Sequence, residues 1–246
     1  MRLAGKIVVT TGGATGIGGA TAELCAAKGA VSIILDYNRG EGRSTLERIE
    51  GAGGSGEFHE VDVRREEQVA AVFAKIAAAH GRVDVLICSA GVLTGAHQEI
   101  TELAEEDWDT TIDTNLKGTY LTGKHAAPLL RASPSSVLLL IASGAGVGGG
   151  SSSYAYAASK GGMHGMQYNF ARELPSTRVH VVCPGSIATP LKLKNIGQGA
   201  EKRGEDPEAA IEAAKRTLGD PVGIARILAF LASEDADYIR GDIRTR

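Results

Sequence analysis

Cysteine is scarce in this chain: Cys25, Cys88 and Cys183 are the only three among 246 residues. They stand far apart in apolar surroundings, and no pair has the spacing of a metal site. They are therefore expected to be buried small hydrophobes in a reducing compartment, not a disulfide framework. No excess of one charge is present either, since 29 acidic and 26 basic residues are mixed along the chain for a net charge of -3. No basic block or basic–aromatic stripe appears, which argues against nucleic acid and anionic membranes as partners. No apolar run approaches the ~20 residues of a membrane span, and Met1–Lys6 leads straight into a short β-rich run without a signal-peptide core. Cytosol is the expected location. Also missing are G-x-x-x-x-G-K before Ser or Thr, H-E-x-x-H, and any Cys/His cluster, so neither a nucleoside triphosphatase nor a metal site has an anchor. His80, His97, His125, His164 and His180 read as surface or packed histidines.

What is abundant is glycine, 33 residues, mostly at the ends of apolar runs where turns are expected. Strand-like runs lie at Lys6–Thr10, Val31–Leu35, Glu57–Val61, Val83–Cys88, Ser136–Ala142 and Val179–Cys183. Several are continuously apolar, which suits a parallel sheet covered on both faces. Helical patterns fill the gaps at Gly18–Lys28, Glu66–His80, Glu105–Ala126, Tyr156–Leu174 and Pro221–Ser233. This alternation predicts one α/β domain over 1–246 with an open, doubly wound, mostly parallel sheet and helices on both faces. A closed eight-stranded barrel is the competing architecture, but it explains the first glycine cluster less directly. The polar stretch 191–215, carrying Gly197, Gly199, Gly204 and Pro207, reads as a mobile lid or substrate loop.

The first strand runs into Thr11-Gly12-Gly13-Ala14-Thr15-Gly16-Ile17-Gly18. Its glycines are spaced G-x-x-x-G-x-G, and a helix follows. One glycine permits the tight turn, one lets the backbone approach a pyrophosphate, and one allows close helix packing; the helix N-terminus meets the negative charge. Asp36 closes the second strand where an acid can accept from the adenosine ribose hydroxyls, which favours NAD because a carboxylate repels a 2′-phosphate. Arg39 nearby could instead turn toward such a phosphate. Asp62-Val63 and Ser89-Ala90-Gly91 sit at the carboxyl ends of the third and fourth strands, where open α/β sheets bind ligands. Asp62 could accept from the adenine amino group while Val63 packs near the ring.

Further along, Ser143 ends a strand, and Tyr156 and Lys160 are spaced to share one helix face. A phenol of pKa ~10 is a poor base at neutral pH. A nearby ammonium is expected to lower it, and a serine hydroxyl can orient the substrate oxygen.

These residues together resemble the classical short-chain dehydrogenase/reductase family along nearly the whole chain. The match runs through Thr11–Gly18, Asp62, Ala90-Gly91, Asn115, Ser143, Tyr156, Lys160, and Pro184-Gly185 followed by Thr189. The resemblance implies a Rossmann-like fold and a hydride passed directly between a nicotinamide and the substrate carbon, with NAD preferred and NADP open. It implies that Tyr156 is the acid in carbonyl reduction and the base in alcohol oxidation. Lys160 would hold the nicotinamide ribose and depress the Tyr156 pKa, and Ser143 would hydrogen-bond the reacting oxygen. Asn115 would hold a water linking Lys160 to solvent. The backbone around Ile187 would meet the carboxamide, with Thr189 bonding to it or to the pyrophosphate.

Two departures stand out. Cys88 and Ser89 replace the two asparagines of the family's Asn-Asn-Ala-Gly stretch. The chain also ends Arg240-Gly241-Asp242-Ile243-Arg244-Thr245-Arg246, so the last strand is shortened and charged. This puts the family's usual tetramer in doubt, with a homodimer or homotetramer expected. Substrate choice is expected from Leu93–Glu99, Ala145–Ala155 and Leu191–Lys215. No concentrated Arg/Lys patch demands an acidic substrate, although Lys192, Lys194, Lys202 and Arg203 lie in the lid. The leading expectation is an NAD(H)-preferring enzyme interconverting secondary alcohols and ketones. Reduction of 3-oxoacyl thioesters on an acidic acyl carrier protein with NADPH is the alternative, and a non-catalytic dinucleotide-binding module is the alternative of another class.

Overall fold

The computed structural model describes residues 3–245. The strands are β1 Ile7–Thr11, β2 Val31–Asp36, β3 Ser55–Glu60, β4 Val85–Cys88, β5 Ser136–Ile141, β6 Thr177–Cys183 and β7 Gly241–Arg244. The helices are α1 Gly16–Ala27, α2 Arg39–Gly51, α3 Glu66–His80, α4 Glu105–Ile112, α5 Gly118–Ala132, α6 Tyr154–Glu173, α7 Pro190–Lys202, α8 Pro207–Lys215 and α9 Pro221–Leu231. All strands pair in parallel, in the order β3-β2-β1-β4-β5-β6-β7. The sheet is open, with β3 and β7 at its edges, which settles the choice against a closed barrel.

Strand periodicity distributes the core. Ile7 and Val9 face one side of the sheet, where Val69, Val72 and Phe73 of α3, Leu121 and Leu130 of α5 and Met163 of α6 cover them. Val8 faces the other side, packed with Cys25 of α1 and Ile224 and Leu228 of α9. Every residue of β1, β4, β5 and β6 is buried, which is why β4 and most of β5 are apolar without alternation. Burying one such Leu or Ile side chain contributes about 1.5–3 kcal/mol. The three cysteines are free and buried, and burial pushes the thiols of Cys25 and Cys88 up to about 12.

Several elements differ from the sequence expectation. Helix α2 was not expected, because its sequence is polar and holds three glycines, and it buries only Gly42, Thr45 and Ile49. Its start is nonetheless signalled: Asn38 caps it, accepting from Glu41 N at 3.2 Å. Strand β3 begins two residues earlier than expected, because pairing with β2 sets its register from Val31 opposite Ser55. The helix foreseen at Glu105–Ala126 extends to Ala132 and contains a π-helical turn at Asp113–Lys117. The stretch 191–215 is not an irregular loop but two helices. Gly204, with φ of +72°, makes the turn between them, but the other two glycines serve close packing: a Cβ on Gly197 would lie 3.1 Å from Ile211, and one on Gly199 would lie 3.0 Å from the His97 ring.

The short final strand has a use for its charges. Ile243 packs against the core on the α1/α9 side, while Asp242 holds His164 of α6, Oδ2 to Nδ1, at 2.7 Å. Buried Arg178 of β6 donates to the carbonyls of Leu231, Ser233 and Ala236, closing the C-terminal end of α9.

Candidate active site

Strand order reverses between β1 and β4. At that point the crossovers leave the sheet in opposite directions and a crevice opens above the strand ends. The crevice is a cleft of about 1050 Å³. Its floor is the glycine turn. Gly12 and Gly16 have φ of +64° and +58°, in the left-handed region that side chains disfavour. A Cβ on Gly12 would lie 2.7 Å from the backbone of Ala90, and one on Gly18 would lie 2.1 Å from the Gly12 carbonyl oxygen. Backbone therefore meets backbone here, and only glycine permits it. Thr15 precedes α1 without a side-chain cap, leaving the first N–H groups of the helix available at the cleft wall with Ile17 beside them. Across the turn, Thr189 stands 3.4 Å from where a Gly16 Cβ would be.

Asp36 is 9% exposed and joins the turn to the second strand. Its Oδ2 accepts from Ala14 N at 3.1 Å and its Oδ1 from Asn38 N at 2.9 Å. Burial raises its pKa, and these backbone donors work against that rise. Arg39 is turned the other way, with its Nε 4.0 Å from a Glu60 carboxylate oxygen. Asp62 is gripped by Arg64, whose Nε and Nη2 donate to it at 2.9 and 2.7 Å. That pairing holds Asp62 below the usual carboxylate range. The sequence reading missed Arg64, which lines the cleft beside Val63; the Asp-x-Arg spacing was its only signal.

At the other end of the cleft, Ser143 follows β5 and Tyr156 sits in the first turns of α6. Ser153 caps that helix, its Oγ accepting from Tyr156 N at 3.3 Å. The Ser143 hydroxyl lies beside the Tyr156 phenol, and both line the cleft. Lys160, 4% exposed, lies one turn on; its Nζ donates to the Ile141 carbonyl at 2.7 Å and stands 5.5 Å from the centre of the Tyr156 ring. Burial lowers Lys160 to about 8. The expected depression of Tyr156 is not found in the free protein. Burial pushes the phenol up, the neighbouring Ser143 hydroxyl opposes the rise, and the Lys160 ammonium is directed at the Ile141 carbonyl.

The structure brings together every residue singled out from the sequence. Ser89, Ala90, Gly91, Pro184, Gly185 and Ile187 all line the cleft. Asn115 stands behind that lining, beside Gly91 and close to Lys160. It is fully buried in the π turn, accepting from Val92 N at 2.8 Å and donating to Val92 O and Ser159 Oγ at 3.0 Å each. It clamps the strand exit behind Gly91, within 3.4 Å of that glycine's β position. The π turn supplies the geometry, as such turns often do at functional sites. His97, read from sequence as an ordinary histidine, in fact lines the cleft.

Residues 12–245 match the family model described as enoyl-(acyl carrier protein) reductase. The chain is 34% identical over 250 residues to the 3-oxoacyl-(acyl-carrier-protein) reductase FabG of Thermotoga maritima, covering 99% of this chain and 96% of that protein. This chain is a member of the classical short-chain dehydrogenase/reductase family. It is also 31% identical to tropinone reductase-like 2 of Erythroxylum coca, over 98% of this chain and 88% of that one. Among solved structures, levodione reductase superposes with a TM-score of 0.90 at 26% identity, over 99% of this chain and 96% of that one. Membership makes the protein an oxidoreductase of CH–OH and C=O groups that works with a nicotinamide dinucleotide. No helix among the described residues is long and apolar enough to cross a membrane.

Proposed function

We propose that the protein interconverts a secondary alcohol and a ketone, with NAD(H) preferred and Tyr156 as the acid and base. The observation that carries the reading is the convergence of Ser143 and Tyr156 on the cleft, with Lys160 buried behind the phenol, 5.5 Å from its ring centre. The glycine turn, the uncapped start of α1 and the Asp36 carboxylate fit a dinucleotide. Gly12, Gly16, Ile17 and Gly18 would hold its pyrophosphate, with Asp36 on the adenosine ribose and Asp62 and Val63 at the adenine. Ser89, Ala90 and Gly91 would pack along it, and Pro184, Gly185, Ile187 and Thr189 would meet its nicotinamide end. When bound, it supplies or takes up the hydride.

The chain's own groups then manage the oxygen. In reduction Tyr156 gives its phenolic proton to the carbonyl oxygen as negative charge develops there, and Ser143 donates a hydrogen bond to the same oxygen. Lys160 keeps positive charge behind the phenol, where it stabilises the phenolate left by the transfer. In oxidation the steps reverse, and the phenolate must be formed before the alcohol proton can leave. Because burial raises Tyr156 in the free protein, alcohol oxidation is expected to climb with pH above neutrality, while carbonyl reduction holds until pH approaches the raised value and the phenol loses its proton. Preference for NAD rests on Asp36 and on Arg39, which is drawn toward Glu60 and away from a 2′-phosphate.

A second reading is reduction of 3-oxoacyl thioesters, favoured by the identity of the Thermotoga relative. Asp36 speaks against it where NADPH is the donor. A test is a panel of ketones, secondary alcohols and a 3-oxoacyl thioester, run with both dinucleotides on the native protein and on Tyr156→Phe. Tyr156→Phe is expected to bind NADH normally and to lose about 10²–10⁴-fold in turnover. Equal turnover in the two proteins would remove Tyr156 from the mechanism, and turnover of the thioester alone would favour the second reading.

A further inference from the structure

The far end of the cleft is held together by one histidine. His97 has a φ of +60° and is the only non-glycine among the described residues in the left-handed region. Its amide donates to the Ser152 carbonyl at 2.6 Å, and its carbonyl accepts from Lys202 Nζ. Its Nε2 lies 3.2 Å from the Asn195 backbone oxygen and 2.7 Å from Asn195 Oδ1, while Asn195 Nδ2 donates to Ser152 Oγ at 2.8 Å. Three chain segments, the β4 exit, the loop before α6, and α7, thus meet at one residue, the loop on its backbone and α7 on its ring. Left-handed backbone at a side-chain-bearing residue, held by this many contacts, is the pattern found where a site constrains its own geometry.

The tautomer follows from the partners. A backbone carbonyl can only accept, so Nε2 carries a proton and donates. Nδ1 has no hydrogen-bond partner among the described residues and is not sealed from solvent. Two cations line the same end: Lys192, half-buried, and Lys194, exposed, neither in an ion pair among the described residues. Arg203 also lines it but is committed to Glu205, with contacts of 2.9 and 2.7 Å. Among the described residues the only carboxylates lining the cleft are Asp36 and Asp62, both at the glycine-turn end, where Arg64 pairs with Asp62 and Asp36 is left as the net negative charge. The cleft is therefore polarised, acidic at one end and cationic at the other.

We propose that His97 and Lys192 form a carboxylate-recognition subsite, and that the substrate is an oxo acid or the corresponding hydroxy acid. This rests on the ketone/alcohol reading above. The Nε2 bond to Asn195 fixes the ring, Nδ1 faces the substrate, and Lys192 supplies the charge. Protonated, the imidazole donates to the carboxylate through Nδ1 while keeping its Asn195 bond.

Matched pairs of free acid and methyl ester test this, such as 4-oxopentanoate with methyl 4-oxopentanoate and acetoacetate with methyl acetoacetate, each reduced with NADH. The acids are expected to exceed their esters in kcat/KM by at least about tenfold, the worth of one charge-assisted hydrogen bond. His97→Asn suits the left-handed backbone and so guards against a folding failure. It and Lys192→Met are each expected to raise KM for the acid about tenfold, with the effect in KM rather than kcat and NADH binding intact. Equal or better use of the esters by the native protein would overturn the subsite. So would variants that lower acid and ester alike, since that is what a merely structural role does. Turnover of neutral ketones without the acids would sink this inference and leave the ketone/alcohol reading standing. NADH binding with no turnover of any ketone, acid or ester would sink both.

Discussion

At the dinucleotide end of the cleft the wall is mostly main chain, whereas at the substrate end it is side chains tied to one another. Gly12 and Gly18 let one stretch of backbone touch another and Gly16 takes the left-handed conformation between them, so the site exists wherever the turn forms. The substrate end has no such guarantee. Ser143 after β5, Tyr156 and Lys160 on α6, His97 after β4 and Asn195 on α7 come from four segments and are placed through their side chains, Lys160 on the Ile141 carbonyl and His97 on Asn195. A backbone-built site is rigid and general, and it leaves its mark as a local string of glycines. A side-chain-built site is specific and is assembled only by the fold.

The sharpest way to separate the two ends is Ser143→Ala. Turnover is expected to fall about 10²–10³-fold through loss of a donor to the reacting oxygen, with NADH affinity unchanged within error. Steady-state kinetics beside a fluorescence titration checks both halves. A loss of NADH affinity as large as the loss of turnover would break the separation. Gly18→Ala strikes the opposite end. Its new methyl meets the Gly12 carbonyl oxygen at 2.1 Å, so the turn must open, and NADH affinity is expected to drop at least about tenfold in the same titration. Unchanged affinity would mean that the turn is not the phosphate cradle.

Asn115→Ala tests whether the two ends are joined at the clamp behind Gly91. It removes hydrogen bonds to both Val92 groups and to Ser159, and it is expected to destabilise the fold by about 2–3 kcal/mol, read from denaturant unfolding. A shift under about 0.5 kcal/mol would show that the clamp is dispensable. The smallest effect lies away from the cleft. Burial lowers His180 to about 4, whereas an unfolded histidine takes up its proton near 6.5. The stability it allows is intact above pH 6.5 and drains away as pH falls toward 4. Between pH 7 and 5 the native protein should therefore lose about 2 kcal/mol relative to His180→Val, read by thermal unfolding. Parallel curves for the two proteins would contradict this.

The same contrast explains what could be read from the residue string. The apolar runs, the glycine turn after β1 and the Tyr156/Lys160 spacing are all local, and the fold with its parallel sheet follows from them. Asn115 was recognisable as a site residue, but its actual partners, Val92 and Ser159, are 23 and 44 positions away. His97 had no local mark at all, because its meaning comes from Asn195, 98 positions on. The helices α7 and α8 were hidden for the opposite reason: glycines that usually signal turns serve there to bring Ile211 and His97 close. Tyr156 shows the limit of spacing as evidence. A lysine one turn away was expected to lower its pKa, yet in the free protein that lysine is turned to Ile141 and burial wins.

The central claim is that the cleft holds a nicotinamide dinucleotide with Asp36 at its adenosine end. A paired fluorescence titration with NADH and NADPH, on the native protein and on Asp36→Ser, tests it most directly. The native protein should bind NADH at least about tenfold more tightly than NADPH, and Asp36→Ser should erase most of that difference. Tighter binding of NADPH by the native protein, or of neither dinucleotide, would contradict the account.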